Sequence, residues 1–250
     1  MRAEIILTVS ESKRLIARGV AQLNIVKQAL QEGIVVVTSG STNGFVAEEI
    51  LGEKMDKTGY MTGKTLPATL KAEELNIGEP IKDLVFRDGQ LDPEFDRLTG
   101  AQAMKAGDVY IKGANALNYK EQVAGILIGH PAAGTIGGAI GHIIGKRANL
   151  VIPVGLEKCT AHNIYDLEQK LNQKADVQGS VPKMIAVRGT IITEIEAVEV
   201  LFRLKAWHIA SGGLAGAEGG VRLLVEGTSD EIQRMQSVLD EIYGEPPFYG

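Results

Sequence analysis

Residues 33–51 read Gly-Ile-Val-Val-Val-Thr-Ser-Gly-Ser-Thr-Asn-Gly-Phe-Val-Ala-Glu-Glu-Ile-Leu: a short β-branched apolar run, a loop of small polar residues, then an amphipathic stretch. This order constrains the fold more than any other segment. Consecutive apolar residues suit a strand buried on both faces, and Val46/Ile50 with Ala47/Leu51 at i,i+4 suit a helix packing back onto it. The loop between, Ser39, Gly40, Ser41, Thr42 and Asn43, then lies at a helix N-terminus. Unpaired backbone N–H groups and the helix dipole favour an anion there. A phosphate or carboxylate ligand is expected.

Strand and helix patterns keep alternating. Apolar runs at Asp108–Lys112, Ala124–Ile128 and Leu150–Val154 predict an α/β fold, a mostly parallel sheet covered by helices. Ile16, Val20, Leu23, Val26 and Leu30 predict one helix from about Glu11 to Gln31, capped by Ser10. Gly59, Gly63, Pro67, Gly78 and Pro80 mark residues 52–90 as irregular and hairpin-like, with a turn at Arg87-Asp88-Gly89-Gln90. From about Val181 the order is strand 184–187, helix 193–205, strands 207–210 and 221–226, and helix 229–243. That β-α-β-β-α order is most of a ferredoxin-like α+β unit. Two domains are expected, a main one over residues 1–178 and a small ferredoxin-like one over residues 181–250.

Composition narrows the partners. The 250 residues carry a net charge of −5 with no block of like charges, which argues against a nucleic-acid surface or a basic membrane anchor. The single Cys159 excludes an intramolecular disulfide, and Met1–Leu7 lacks the pattern of a signal peptide, so a cytoplasmic location is expected. Val123–Ile144 contains no Asp, Glu, Lys or Arg, yet His130, Pro131, His142 and repeated glycines make it a strand, a loop and a glycine-rich helix rather than a membrane span. Histidines 130, 142, 162 and 208 show no metal spacing; no metal or cofactor is expected. Gly137, Gly141 and Gly145 form a side-chain-free stripe suited to close helix packing, within the domain or across a symmetric homo-oligomer.

Three loops, Ser39–Asn43, Gly113–Asn118 and Gly134–Gly138, each follow an expected strand. In an open parallel sheet, loops beyond the strands' carboxyl ends line the ligand crevice. The run Val-Val-Val-Thr-Ser-Gly-Ser-Thr-Asn resembles the strand and phosphate loop of the ribose-5-phosphate isomerase, glucosamine-6-phosphate deaminase and CoA-transferase superfamily. Asp108-Val-Tyr-Ile-Lys-Gly-Ala-Asn-Ala-Leu-Asn118 is similar to that group's strand ending in Gly-Ala-Asp. The glycine-rich segment and Pro153-Val-Gly-Leu-Glu-Lys158 add to a resemblance over roughly residues 10–165, shared with its initiation-factor-2B-like and lactate-utilisation branches.

The resemblance implies a site for a sugar phosphate, and the departures from it bear on the chemistry. Asn115 and Asn118 stand where the isomerases carry acids, and no lysine or glutamate occurs between Gly125 and Gly145. An amide orients hydroxyls but cannot accept a proton near neutrality. His130 and Glu157 are therefore the candidate proton-transfer residues. The candidate ligand-binding set is Ser39, Gly40, Ser41, Thr42, Asn43, Gly113, Asn115, Asn118, Gly134, Thr135, Gly137, Gly138 and Lys158. Lys112 reads as an exposed strand edge or a phosphate contact, and Cys159 with His162 as a weaker thiol pair. The expected function is binding, with isomerisation or another transformation, of a small phosphorylated metabolite. Acyl-CoA or nucleotide-ester chemistry and a non-catalytic sensor remain as alternatives.

Overall fold

In the computed structural model, which describes residues 1–249, the run Ile34–Val37 is a strand with every side chain buried. It is β2, after β1 (Arg2–Leu7), α1 (Val9–Gln22) and α2 (Asn24–Glu32). There follow α3 (Ser41–Leu51), β3 (Leu84–Arg87), β4 (Gln90–Leu91), α4 (Arg97–Ala103), β5 (Val109–Ile111), β6 (Ala116–Asn118), β7 (Val123–Ile128), α5 (Gly134–Gly145) and β8 (Asn149–Pro153). The chain closes with α6 (Ile164–Asn172), β9 (Lys183–Val187), β10 (Thr190–Ile192), α7 (Glu194–Phe202), β11 (Lys205–Ser211), β12 (Val221–Glu226) and α8 (Ser229–Asp240).

This is a mixed α/β fold. Its central six-stranded sheet has the order β10-β8-β5-β2-β3-β4, in which β10, β8, β5 and β2 run parallel while β3 and β4 run antiparallel. The β6-β7-β9 and β1-β12-β11 sheets are antiparallel throughout. The expected mostly parallel sheet is corrected to that extent.

Strand periodicity divides the core into two layers. Val35, Val37, Val109, Ile111 and Val151 face α1, α3 and α7, whereas Val36, Tyr110, Leu150 and Ile152 face α4 and α5. Burial on both faces is what makes these strands read as unbroken apolar runs. The expected turn at residues 87–90 joins β3 and β4: Asp88 and Gly89 have φ of 48° and 81°, the backbone of a tight hairpin with positive φ at both central positions.

Two expectations change. The single helix over residues 11–31 is two helices. Thr8, not Ser10, caps α1: its Oγ1 accepts from Glu11 N at 3.3 Å, and the Glu11 carboxylate accepts from Thr8 N at 2.7 Å. Leu23 is extended, with ψ of 133°, yet packs against the same core, so the apolar spacing turns a corner there.

The boundary expected near residues 178–181 also does not separate two sheets. β9, expected as the first strand of a small domain, pairs with β7, and β10 joins the central sheet beside β8. The place next to β12 is taken by β1, from the other end of the chain. Ile5, Leu7, Leu223 and Val225 of that sheet belong to one continuous core with α1, α7 and α8.

Helices α1 and α7 cross closely. A Cβ on Gly19 would come within 2.8 Å of both Cα and Cβ of Ala197, so only glycine permits this approach. The stripe on α5 behaves differently: Cβ atoms on Gly141 and Gly145 would meet nothing within 4 Å, so no backbone packs on them within the chain. Among the described residues no helix is long and apolar enough to cross a membrane. Gly19→Val should force the crossing apart and lower unfolding stability by about 1–3 kcal/mol, measured as a fall in the urea midpoint.

Candidate functional site

The four parallel strands end on one edge of the sheet, and each hands the chain to a polar loop. Backbone hydrogen bonds hold these loops in register: Thr38 N donates to Ile111 O (3.1 Å), Lys112 N to Val151 O (3.0 Å) and Val154 N to Ile192 O (3.0 Å). Ser39–Asn43 after β2, Lys112–Asn115 after β5, Gly155–Lys158 after β8 and Thr193–Glu194 after β10 therefore lie along one edge.

After β2 the chain enters α3 through Gly40, which supplies no capping side chain to the first-turn amides. Asn43 fixes the loop by donating from Nδ2 to Thr38 O (2.8 Å) and Ile111 O (3.3 Å). Its Oδ1, fully buried, has no hydrogen-bond partner, and a Cβ on Gly113 would lie 3.7 Å from it. Ser39 N donates to Asp83 at 2.5 Å, and the other oxygen of Asp83 accepts from Arg97 at 2.7 Å.

Three lysines meet over these ends. Lys112 Nζ donates to Gly113 O (3.2 Å), and Lys158 Nζ donates to the next carbonyl, Ala114 O (3.0 Å). Lys13 comes from the start of α1. Burial, then the charge of Lys158, lowers Lys13 to about 8, with Glu157 opposing. Lys112 falls to about 8 by burial and then by Lys158, with Asp83 opposing. Burial and mutual repulsion thus both weaken the hold of Lys13 and Lys112 on their protons. Lys112 is thus not on the exposed edge that its alternation suggests, because β5 lies between β8 and β2.

A carboxylic acid lies on the same edge, after β10. Glu194, the first residue of α7, is fully buried; one oxygen accepts from Leu156 N at 3.0 Å and Oε1 has no partner. Ser12 Oγ of α1 approaches it without reaching hydrogen-bond geometry and is itself unpaired. Burial, then the charge of Glu157, pushes Glu194 up to about 7, the range in which a carboxyl group exchanges protons near neutrality. The Glu157 carboxylate folds over Gly155, where a Cβ would collide with it.

The structure thus gathers Ser39–Asn43, Gly113, Glu157 and Lys158 of the expected set, and adds Lys112, Lys13, Ser12 and Glu194. Asn115 lies on this edge too, with its side-chain oxygen taken by the backbone, and the others lie elsewhere. His130 is exposed, and its Nδ1 accepts from Ala132 N at 3.1 Å, a bond within its own loop. Gly134, Thr135, Gly137 and Gly138 open α5 after β7, a strand of the antiparallel β6-β7-β9 sheet, so this loop is not at the carboxyl edge of the parallel strands. The side-chain amides of Asn115 and Asn118 serve the backbone: Asn115 Oδ1 accepts from Leu127 N (3.0 Å), while Asn118 donates to His162 O (3.1 Å) and accepts from Glu121 N (3.1 Å). Cys159 is pushed up to about 11 by partial burial and the Glu194, Glu157 and Glu196 carboxylates, the reverse of an activated thiol.

Sequence pattern alone gives Glu194 the look of a favourable acid in the first turn of a helix capped by Thr193 and Glu196. Its position directly after a parallel strand was the available signal. Two surface concavities lie on the opposite, amino-terminal edge of the central sheet. One of about 200 Å³ adjoins Gly33 and Asp108, and one of about 470 Å³ adjoins Asn149 and Thr190. Among the described residues, no three His, Cys, Asp or Glu are grouped to hold a metal ion.

The acid makes a stability prediction. Glu194 keeps its proton in the folded chain to about pH 7 but loses it near its ordinary value of 4.5 when unfolded, so stability falls as pH rises through that window. Glu194→Gln removes the dependence. Relative to the wild type, its stability should improve by about 3 kcal/mol between pH 4.5 and 8, from about 1.4 kcal/mol per unit. Urea melts of both proteins across this range measure it, and a pH-independent difference would refute the assignment.

Comparison of the chain with protein-family models, curated proteins and solved structures gave no match.

Proposed function

We propose that the chain binds a small phosphorylated metabolite over the carboxyl ends of β2, β5, β8 and β10 and moves a proton on it. The observation carrying this reading is the convergence of Lys13, Lys112 and Lys158 on the edge that carries the uncapped start of α3, with Lys13 and Lys112 depressed by burial and then by the charge of Lys158. Like charges held together in a partly buried place cost stability, and a bound anion offsets that cost. The first-turn amides of Ser41–Asn43 would donate to phosphate oxygens and the lysines would neutralise them. Glu194, protonated close to neutrality beside Glu157, takes the proton-transfer role expected of His130.

A sensor reading has its own support. Ser12, Lys13 and Glu194 belong to α1 and α7, and these helices also share a core with the β1-β12-β11 sheet. A ligand drawing on both helices could act on that sheet.

Thermal shift with inorganic phosphate and ribose 5-phosphate tests binding. A ligand at a hundred times its dissociation constant should raise stability by about 2.7 kcal/mol, and the gain should shrink as salt is added. Ser41→Asp and Lys158→Glu should each abolish the gain by adding a negative charge. An unchanged shift in both variants would remove these strand ends from the account. Product formation from the bound ligand separates an enzyme from a sensor.

A further inference from the structure

We propose that Lys112 is a nucleophile that condenses with the carbonyl carbon of a phosphorylated aldehyde or ketone to form an imine. This rests on the anion site described above and names the class of compound that site accepts.

The surroundings of Lys112 favour a free amine. It leaves β5 in the middle of the sheet, and its Nζ has a single hydrogen bond, to the carbonyl of the next residue. Among the described residues it takes part in no salt bridge. The facing acid, Asp83, is committed to Arg97 and to Ser39 N. The facing cation, Lys158, is held on the adjacent carbonyl. A lysine serves as an imine-forming nucleophile when burial or a second cation disfavours its ammonium form, and Lys112 has both. With the amine at about 8 rather than 10.5, a useful fraction is unprotonated close to neutral pH.

The unprotonated Lys112 Nζ adds to the carbonyl carbon: the C–N bond forms, the C=O π bond breaks, and a proton passes from nitrogen to the carbonyl oxygen, which becomes a hydroxyl. That hydroxyl takes up a proton and leaves as water, giving a protonated imine with no change in oxidation level. Lys158 and the start of α3 hold the phosphate meanwhile.

The test uses the full chain and pyridoxal 5′-phosphate, a phosphate-bearing aldehyde, with borohydride reduction and peptide mass spectrometry across pH 6–10. Pyridoxine 5′-phosphate, the matching alcohol, reports phosphate binding alone by thermal shift. The expected result is a reduced adduct on Lys112 at lower pH than on the exposed Lys71 and Lys120. Inorganic phosphate should suppress it, and Lys112→Arg should lack it. Lys158→Met leaves the nucleophile in place and should move its labelling profile to higher pH, so the proposal stays testable if Lys112→Arg fails to fold. Stabilisation by the alcohol without an adduct on Lys112 would overturn the nucleophile and leave the anion site standing. No stabilisation by the alcohol would overturn the anion site. Labelling of Lys112 no earlier than Lys71, or a profile unmoved in Lys158→Met, would also count against the proposal.

Discussion

A missing side chain at Gly19 sets the geometry on which the rest depends. It lets α1 press against α7 at Ala197, and both helices cover the face of the central sheet formed by Val35, Val37, Ile111 and Ile192. The same two helices extend the core to Leu7, Leu223 and Val225 of the small antiparallel sheet. Close crossing also brings Ser12, near the start of α1, to Glu194 at the start of α7. A wider crossing would separate Ser12 from the acid and admit water between them. Burial, which perturbs Glu194 and Lys13 most, would then be lost.

The other side of α1 positions the proposed anion cradle. Arg14, almost fully buried, pairs with Glu48 and reaches Glu49 and Glu245 at 2.9 Å each, while Lys57 reaches Glu48 at 2.9 Å. The guanidinium of Arg14 and the ammonium of Lys57 each stand 4.7 Å from the Phe45 ring. Breaking such a buried pair is costly because it strands a charge, so the network fixes α3 against α1 even where its net contribution to stability is small. Fixing α3 fixes the direction of its first-turn amides. Charge is therefore arranged in two ways along α1: closely paired around Arg14, and, among the described residues, without a salt bridge at Lys13.

Much of the sheet was legible because its signals are local. Ile34–Val37 followed by small polar residues could form little else, and Asp88-Gly89 carried the chemistry of its own turn. Pairing across long sequence separations was not legible. Nothing in residues 184–187 says that they pair with β7, or that β1 supplies the strand beside β12, because register depends on which apolar faces meet in the assembled core. The site divided along the same line. Ser39–Asn43, Glu157 and Lys158 could be found by following strands into loops, and the same rule applied to β10 would have reached Glu194. His130 drew attention through its residue type, but the loop bond to Ala132 and its exposure leave it away from the lysines. Lys112 looked like an edge residue until β2 and β8 were placed on either side of it.

The place where an anion settles is the decisive observable. A crystal soaked with selenate, a phosphate-sized anion located by its anomalous scattering, answers this without assuming a substrate. The predicted result is a single strong site within hydrogen-bond distance of the first-turn amides of α3 and of Lys158. A site beside Arg147 and Arg188 on the opposite edge of the sheet, with nothing above the strand ends, would contradict it.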